Sequence, residues 1–403
     1  MRLWLGQAVS EFGSVVTRDA LPLVAVLTLQ ATPAQMGLLA ALGMLPAFLI
    51  GLPAGAWVDR RRRRPIMIAS DLTRAALLAS IPAAFVLGAL RIEQLYVVAL
   101  LAGALDILFD TAYQSYLPSL VERENLVEGN SKLGATESIA EIGGSALAGA
   151  LVQILSAPMT ILIDAVSFLA SVISVALIRK PEARPQPSGP PNLRQEIVAG
   201  IGFVARQPLL RALVGAMATR AFFGNFYAAL YSLYALRELN LTPAILGLLI
   251  ASGGLGSLFG ALLTQRAARR FGLGRALVGG MLVSELLGLL TPLAGGPLWL
   301  AAAMLWVPQF FGDASSTVFS IHATSLRQTI TPDHLLGRMN ATINFVLGSV
   351  ATVGVLVGGL LGDVLGLRPA VWIAALGSGL AVAWLIASPL GSLHGMPQAR
   401  VHE

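Results

Sequence analysis

The amino-acid sequence predicts an all-α membrane protein with twelve transmembrane helices, arranged as two six-helix bundles related by an internal repeat. Hydrophobic residues make up 56% of the 403 residues and charged residues only 12%, a balance typical of proteins in a lipid bilayer. The repeat keeps a constant offset of about 210 residues at three distant places. Its members are Thr32-Pro33-Ala34 with Thr242-Pro243-Ala244, Asn130 with Asn340, and Gly144 and Gly149 with Gly354 and Gly359.

Twelve apolar runs are long enough to cross a bilayer, for which an α-helix needs about 20 residues. They cover residues 3–29, 34–57, 66–90, 94–117, 131–155, 159–178, 209–236, 243–265, 275–294, 297–324, 341–362 and 369–390. The chain therefore divides into an N-terminal bundle (1–178), a cytoplasmic linker (179–208), a C-terminal bundle (209–390) and a cytoplasmic tail (391–403). Duplicated bundles are typical of secondary transporters, whose binding site lies between the halves.

The linker has two parts with different compositions. Five prolines fall within residues 179–192, which predicts an extended segment. Beyond it, Leu193, Ile197, Ile201 and Val204 share one face of a short helix. This is either an in-plane helix at the cytoplasmic membrane surface or an ordinary linker helix packed on the bundle.

The basic residues predict the orientation. With both termini in the cytoplasm, the cytoplasmic side holds 21 of the 27 Lys and Arg residues, including the run Arg60–Arg64. The outer loops hold only Arg91, Arg237 and Arg368. This asymmetry accounts for the net charge of +6 without a nucleic-acid partner. Only two of the basic residues are lysine, which together with the abundant Ala and Gly suggests a GC-rich bacterial genome. We expect a multi-pass protein of the bacterial inner cell membrane.

Several classes of protein are disfavoured by what the sequence lacks. It contains no cysteine, which excludes disulfides and thiolate metal sites. It contains no Walker A loop, no His-Glu-x-x-His zinc motif and no nucleophile elbow. The first apolar run carries Glu11, Arg18 and Asp19 and so does not read as a cleavable signal peptide. We expect no enzymatic activity, no cofactor and no metal site.

Polar side chains inside the predicted spans identify a candidate cavity. Asp or Arg at the centre of a span costs about 2.5–3.5 kcal/mol, so such residues are expected to face the bundle interior. The candidate cavity residues are Gln7, Ser14 and Arg18 on helix 1, Tyr113 and Gln114 on helix 4, Arg220, Asn225, Tyr227 and Tyr231 on helix 7, and Gln309 and Asp313 on helix 10. Tyr227 and Tyr231 serve either packing or ligand stacking. Tyr234, near the outer end, is expected in the interfacial belt.

Two acids on helix 4 are the first candidates for proton coupling. Asp106 and Asp110 are four residues apart, so their carboxylates are neighbours on one helix face. Two acids in a low dielectric cannot both ionise cheaply, which makes either a candidate proton carrier. Alternatively, each is held by a basic partner such as Arg18 or Arg220. Glu11 and Asp19 on helix 1 are the reserve candidates; Glu11 and Arg18 could also simply neutralise one another, or Arg18 could pair with Asp106.

A second set of charges indicates a gate. Glu137 and Glu141 are also four residues apart, on helix 5 and nearer its cytoplasmic end. With Asp71 and Arg74 on helix 3 they predict a salt-bridge network at the cytoplasmic gate.

Two stretches resemble known transporter signatures. Gly51-Leu-Pro-Ala-Gly55-Ala-Trp-Val-Asp59-Arg60, followed by Arg63-Arg64, resembles the signature between helices 2 and 3 of the major facilitator superfamily. Gly144-Ser145-Ala146-Leu147-Ala148-Gly149 resembles the helix 5 signature of proton-coupled exporters, with Ser145 in place of its proline and Ala148 in place of a glycine. The opening LWLGQAVSEFGSVVTRDALP, with Asp71-Leu-Thr-Arg74, is similar to the branch of enterobactin and macrolide exporters, the transmembrane secretion effector type.

This resemblance implies a major facilitator fold in which Asp59, Arg60 and Arg63 brace the cytoplasmic gate; the arginines also fix orientation. It implies a monomer that exports an amphipathic small molecule (a drug, siderophore or secondary metabolite) in exchange for protons by alternating access. Uptake or lipid flipping by the same fold, and a non-transporting membrane sensor, remain as alternatives. The expected partners are the substrate, protons and the bilayer.

Overall fold

The computed structural model describes residues 2–58, 60–120, 126–178, 202, 204–393 and 395. Helices account for nearly all of these residues, and no strand occurs among them. The prediction of an all-α fold is confirmed. Most of the linker lies outside the described residues, including Leu193, Ile197 and Ile201 of the predicted surface helix, whereas Val204 is described, helical and buried.

Within this part of the chain the helical segments join into twelve helices, α1 to α12, which correspond one to one to the twelve apolar runs. They are α1 (Arg2–Leu23, with Val24–Thr28), α2 (Pro33–Leu49 and Gly51–Val58), α3 (Arg63–Val86), α4 (Ile92–Leu120), α5 (Leu126–Leu155), α6 (Ala157–Ala176), α7 (Pro208–Gly224, Phe226–Leu233 and Tyr234–Glu238), α8 (Pro243–Phe271), α9 (Leu273–Gly288 and Leu290–Leu293), α10 (Leu298–Val307, Pro308–Gly312 and Asp313–Ile330), α11 (Asp333–Leu365) and α12 (Leu367–Gly379 and Ala381–Ile386).

Eight of the described helices are long and apolar enough to cross a membrane. The remaining four are α1, α2, α7 and α10. Of these, α1, α7 and α10 each contain a π-turn, a single wide turn with i→i+5 hydrogen bonds, at Val24–Thr28, Tyr234–Glu238 and Pro308–Gly312. In α2 the helix is interrupted at Ile50, whose N–H still donates to the carbonyl of Pro46.

The backbone repeats with the same offset as the sequence. The π-turns of α1 and α7 are 210 residues apart. So are Gln30 and Asn240, which both have positive φ, 54° and 53°. Ser156 and Gly366, with φ of 93° and 91°, form a third pair. These three backbone features therefore recur at the offset of the sequence repeat.

The chain folds into two compact units. Unit 1 comprises Met1–Pro190 together with Leu241–Ala251, and unit 2 comprises Pro191–Asn240 and Ser252–Glu403. Unit 1 has an apolar core around Met67, Phe109 and Tyr116, and unit 2 around Leu213, Leu277 and Phe319. The first turns of α8 thus belong to unit 1, although the rest of that helix belongs to unit 2.

Tyr234 differs from its prediction as an interfacial residue. Its side chain is fully buried, and its hydroxyl lies 3.4 Å from the Pro292 carbonyl oxygen and 3.3 Å from that of Ala294. The ring is covered by its own unit, where the Arg368 guanidinium lies 5.7 Å from the ring centroid, and sequence periodicity does not reveal these tertiary contacts.

Candidate functional site

Arg74 on α3 is the centre of the polar interior of unit 1. Its guanidinium forms ion pairs with Asp71 on its own helix and with Asp106 on α4. The same group lies 4.8 Å from the ring centroid of Phe109 and 4.2 Å from that of Phe168. Asp71 is fully buried, whereas the Asp106 side chain is 50% exposed. One arginine therefore forms ion pairs with a buried acid and with a half-exposed acid.

This pairing changes the interpretation of Asp106. The sequence offered Arg18 or Arg220 as its basic partner, and placed Arg74 with the glutamates of α5. In the structure Arg74 reaches across from α3 to α4, because those two helices pack against each other along their length. Asp106 is consequently held in an ion pair.

Asp110, one turn further along α4, has a different environment. Its side chain is exposed, and it forms neither an ion pair nor a side-chain hydrogen bond with the residues that the structure describes. Tyr113 beside it stacks on Phe109 with ring centroids 6.1 Å apart, and its buried hydroxyl has no hydrogen-bond partner within the same described ranges. Gln114 is exposed. Of the two acids on this face, Asp110 is the one whose charge is not compensated.

The polar face of α1 is tied to α5. Arg18 Nη2 lies 2.8 Å from Glu141 Oε1, and Arg18 Nε lies 3.5 Å from Asp19 Oδ1. Arg18 thus pairs with neither Glu11 nor Asp106. The other oxygen of Asp19 is buried without a hydrogen-bond partner among the described residues. Gln7, Glu11 and Ser14 are half-buried on the same helix.

The charges assigned to one gate network lie in two separate groups. Arg74 holds Asp71 and Asp106, while Arg18 holds Glu141, and Glu137 is exposed. The sequence could place these residues on helix faces, but their partners depend on which helices are neighbours.

The residues of the first signature surround the start of α3. Asp59 lies outside the described residues, and Arg60 is exposed. Arg63 is the first residue of α3. The next residue, Arg64, donates hydrogen bonds to the carbonyls of Val175 and Ala176, at the end of α6. It thereby satisfies carbonyl groups that a helix end leaves open.

The second signature is a surface of close helix contact within unit 1. A β-carbon placed on Gly144 would lie 2.7 Å from Val15 Cγ1 on α1. A β-carbon on Gly149 would lie 2.9 Å from the α-carbon of Gly247, in the first turns of α8. Close approach of this kind requires glycine.

Arg220 on α7 occupies the corresponding interior of unit 2. Its Nε lies 3.0 Å from Glu285 Oε1 on α9, and its terminal nitrogens donate to Ser316 Oγ at 2.6 Å and to Ser284 Oγ at 3.4 Å. Ser284 and Ser316 are the repeat equivalents of Arg74 and Asp106. Arg220 on α7 thus contacts the two positions of unit 2 that correspond, by the repeat offset, to Arg74 and Asp106 of unit 1.

A chain of hydrogen bonds links α7 and α10 in unit 2. The Tyr231 hydroxyl lies 3.3 Å from Gln309 Oε1, and Gln309 Nε2 donates to Asp313 Oδ2 at 3.2 Å. The Tyr227 and Tyr231 rings form an edge-to-face pair with centroids 6.4 Å apart. Asn225, by contrast, donates its amide to the carbonyl of Ala221, one turn earlier on its own helix, at 2.7 Å. Asn225 supports the interruption in α7.

Sequence reasoning missed two acids. Asp164 on α6 is 1% exposed, accepts a hydrogen bond from Ser167 at 2.9 Å, and lies against Gly13 of α1. Glu285 is the ion-pair partner of Arg220. Both are isolated carboxylates within otherwise apolar runs, and that property alone was the signal that would have identified them.

Comparison with known proteins places this geometry in a family. A family model described as "Transmembrane secretion effector" matches residues 1–402. The chain is 27% identical to macrolide efflux protein A of Streptococcus pyogenes over 243 residues, which cover 60% of each protein. It is 29% identical to the multidrug efflux pump Tap of Mycolicibacterium fortuitum over 214 residues, which cover 50% of this chain and 51% of that one. The matches thus span about half to three-fifths of the length of these relatives.

Solved structures share the fold. A bacterial homologue of the iron transporter ferroportin, in an inward-facing state, superposes with a TM-score of 0.76 at 19% identity, covering 96% of this chain and 97% of the other. The nucleoside transporter NupG gives a TM-score of 0.72 at 13% identity, covering 96% and 98%. At these identities the likeness concerns the fold alone.

Proposed function

The chain belongs to the transmembrane secretion effector family of the major facilitator superfamily, and from that premise we propose that it exports an amphipathic small molecule across the bacterial cell membrane in exchange for protons. It is a multi-pass membrane transporter and not an enzyme. The proposal adds the direction, the coupling ion, the alternating-access mechanism and cytoplasmic termini.

The environment of the Asp110 carboxylate is the observation that supports proton coupling. Ionisable residues within membrane helices are costly, and those that persist mark substrate paths and proton relays. Arg74 holds Asp106, but within the described ranges no basic group pairs with Asp110, whose side chain is exposed. A carboxylate that is open on one side and uncompensated takes up and releases a proton with little rearrangement of its surroundings.

The energetics permit this exchange. One charge moving through 100 mV supplies about 2.3 kcal/mol and one pH unit about 1.4 kcal/mol. Together they sustain a substrate gradient of roughly several-hundred-fold per proton. One carrier carboxylate is therefore enough for useful efflux.

The substrate class is proposed from the relatives. Proteins named as a macrolide exporter and as a multidrug pump match half or more of this chain. The polar, aromatic interior of unit 2 suits a molecule with both apolar surface and hydrogen-bonding groups. We therefore propose a drug-like or secondary-metabolite substrate of that kind.

The first experiment identifies a substrate. A pump-deficient bacterial host that expresses the chain is tested against a susceptibility panel that includes macrolides. A rise in the inhibitory concentration of at least one compound is expected. No rise for any compound, with the protein present in the membrane, would contradict drug efflux.

The second experiment tests coupling in inverted vesicles loaded with a pH-sensitive dye. Asp110→Asn should abolish substrate-driven proton release while downhill substrate exchange survives. Glu93→Gln, which removes an exposed acid from the first turn of the same helix, is the matched control and should behave as wild type. Full proton-coupled efflux in Asp110→Asn would exclude Asp110 as the carrier, and loss of downhill exchange would assign it to substrate binding or folding.

A further inference from the structure

We propose that the C-terminal end of α8 binds the headgroup of an anionic phospholipid through Arg266, Arg269 and Arg270, with Phe271 beside them. On the proposed orientation, this end of the helix lies at the cytoplasmic surface of the membrane. The bound lipid is a partner of the transporter and not its cargo, so the inference goes beyond the proposed export.

One face of α8 is apolar and exposed along the membrane-spanning part of the helix. Leu255, Leu258, Phe259 and Leu262 follow one another at spacings of one to four residues that keep them on one helix face, and each is 43% to 64% exposed. The helix is long and apolar enough to cross a membrane. A face of such a helix that its own unit leaves uncovered contacts the lipid acyl chains.

The same face of α8 continues into the three arginines. Arg266 follows Leu262 by four residues, and Arg269 and Arg270 follow Arg266 by three and four, so the helical period places all three at the end of the apolar stripe. All three are exposed. A phospholipid whose acyl chains lie along the stripe therefore has its phosphate at the level of the guanidinium groups. A soluble anion would gain nothing from the stripe, so this placement favours a lipid.

The positive charge of this corner is not compensated. None of the three arginines forms an ion pair with the residues that the structure describes. The sequence contains no acid between Glu238 and Glu285, and Arg275, exposed in the first turn of α9, adds a fourth positive charge. Guanidinium groups bind phosphate oxygens through paired, charge-assisted hydrogen bonds. The corner is therefore complementary to an anionic headgroup.

Two of the arginines are oriented without a lipid. Arg269 Nη2 donates to Gln265 Oε1 at 3.3 Å, one turn earlier on the same helix. The Arg270 guanidinium lies 5.7 Å from the ring centroid of Phe271, which is 57% exposed. An exposed ring with a cation next to it suits the boundary between acyl chains and phosphate groups.

The test measures which lipid lies beside the arginines, with single cysteines on this Cys-free background. Leu262→Cys carries a fluorophore one turn before Arg266. The full chain is reconstituted in phosphatidylcholine vesicles with a minor fraction of brominated phosphatidylglycerol or brominated phosphatidylcholine, which both quench on contact. The anionic lipid should associate about fivefold or more strongly at this position. Because both leaflets hold the same lipids, the result does not depend on the orientation of the chain.

A second position and two sets of variants serve as controls. Leu248→Cys lies on the same face at the other end of α8, where Leu248 is 61% exposed, and there the two lipids should quench equally. Replacing Arg266, Arg269 and Arg270 with glutamine should bring the ratio at position 262 to about one, and Arg270→Gln alone should lower it by about twofold to fivefold. Replacing the same three residues with lysine keeps the charge and should keep the ratio within about twofold, which separates loss of charge from loss of fold.

Three outcomes would overturn the site. Equal quenching by the two lipids at position 262 would do so, and so would an unchanged ratio in a folded triple glutamine variant. Inorganic phosphate, compared with chloride at equal ionic strength, should leave the ratio unchanged. Loss of the ratio in phosphate would assign the arginines to a soluble anion and refute the lipid assignment. No transported compound enters the measurement, so failure of the efflux proposal would leave the lipid site standing.

Discussion

Replacing Arg74 with glutamine removes the guanidinium that forms ion pairs with both Asp71 and Asp106. The Arg74 side chain is 6% exposed and that of Asp71 is fully buried, so the replacement leaves an unpaired charge in the interior of unit 1. Removing one partner of a buried pair costs about 3–5 kcal/mol. Unit 1 has about 200 residues, and for that size 1 kcal/mol shifts Tm by about 2–4 °C. The expected loss is therefore about 6–20 °C.

The expected order of destabilisation among the single variants follows from how exposed each side chain is. Asp71→Asn should cost less than Arg74→Gln, because Arg74 keeps Asp106 as a partner. Asp106→Asn should cost least, because half of that side chain is exposed and Arg74 keeps Asp71. In the double variant Arg74→Gln/Asp71→Asn no unpaired charge remains at the buried position, so part of the loss should be restored.

The assay is intrinsic fluorescence of the six tryptophans during heating in detergent, on protein that elutes as one species by size exclusion. If Asp71→Asn and Asp106→Asn destabilise equally, or if the double variant is no more stable than Arg74→Gln, then burial of the pair does not set the stability of unit 1 and the reasoning is refuted.

Three more variants test other features. Ser156→Gly should stabilise the protein by about 1 kcal/mol, because the backbone of Ser156, with φ 93° and ψ 155°, lies in a region that is essentially restricted to glycine. The repeat partner of Ser156, Gly366, is a glycine. An unchanged or lower Tm would contradict this prediction. Gly256→Ala should lower the stability by about 1–3 kcal/mol, because a β-carbon there would lie 2.8 Å from a backbone carbonyl carbon of α10. Gly279→Ala is the control and should be neutral or slightly stabilising, because a β-carbon there would have nothing within 4 Å. Equal effects of the two variants on stability would refute the packing argument. Replacing Arg60–Arg64 with glutamine should give mixed orientation or poor insertion, measured by accessibility of single cysteines on this Cys-free background; unchanged labelling would show that the other loop charges suffice.

The twelve helices were predictable because each needs about 20 apolar residues, and the sequence contains twelve apolar runs of about that length. The duplication was also visible, since Thr32-Pro33-Ala34 recurs as Thr242-Pro243-Ala244. The structure adds the reason for that recurrence. Thr32 caps α2 by accepting a hydrogen bond from the Gln35 N–H, and Thr242 accepts one from the Ile245 N–H at 3.3 Å, so the repeated tripeptide starts a helix in both halves.

The pairings inside the units were not predictable. Helical periodicity places Arg74 and Asp106 on faces of their own helices, but it does not say that α3 packs against α4 with those faces together. The acids Asp164 and Glu285 were missed because each is a single charge in an apolar run, with no neighbour of like type to draw attention to it. Pairing depends on helix adjacency, which a single sequence does not encode locally.

The paired π-turns of α1 and α7 have a geometric consequence. An α-helix advances about 100° per residue, so the extra residue of a π-turn rotates everything beyond it by roughly that angle. In α1 the polar stripe lies before the turn, and the turn itself carries the buried residues Val24, Ala25 and Val26. In α1 and in α7, therefore, the side chains beyond the π-turn lie on a different face of the helix from the one that the α-helical period before the turn would give them.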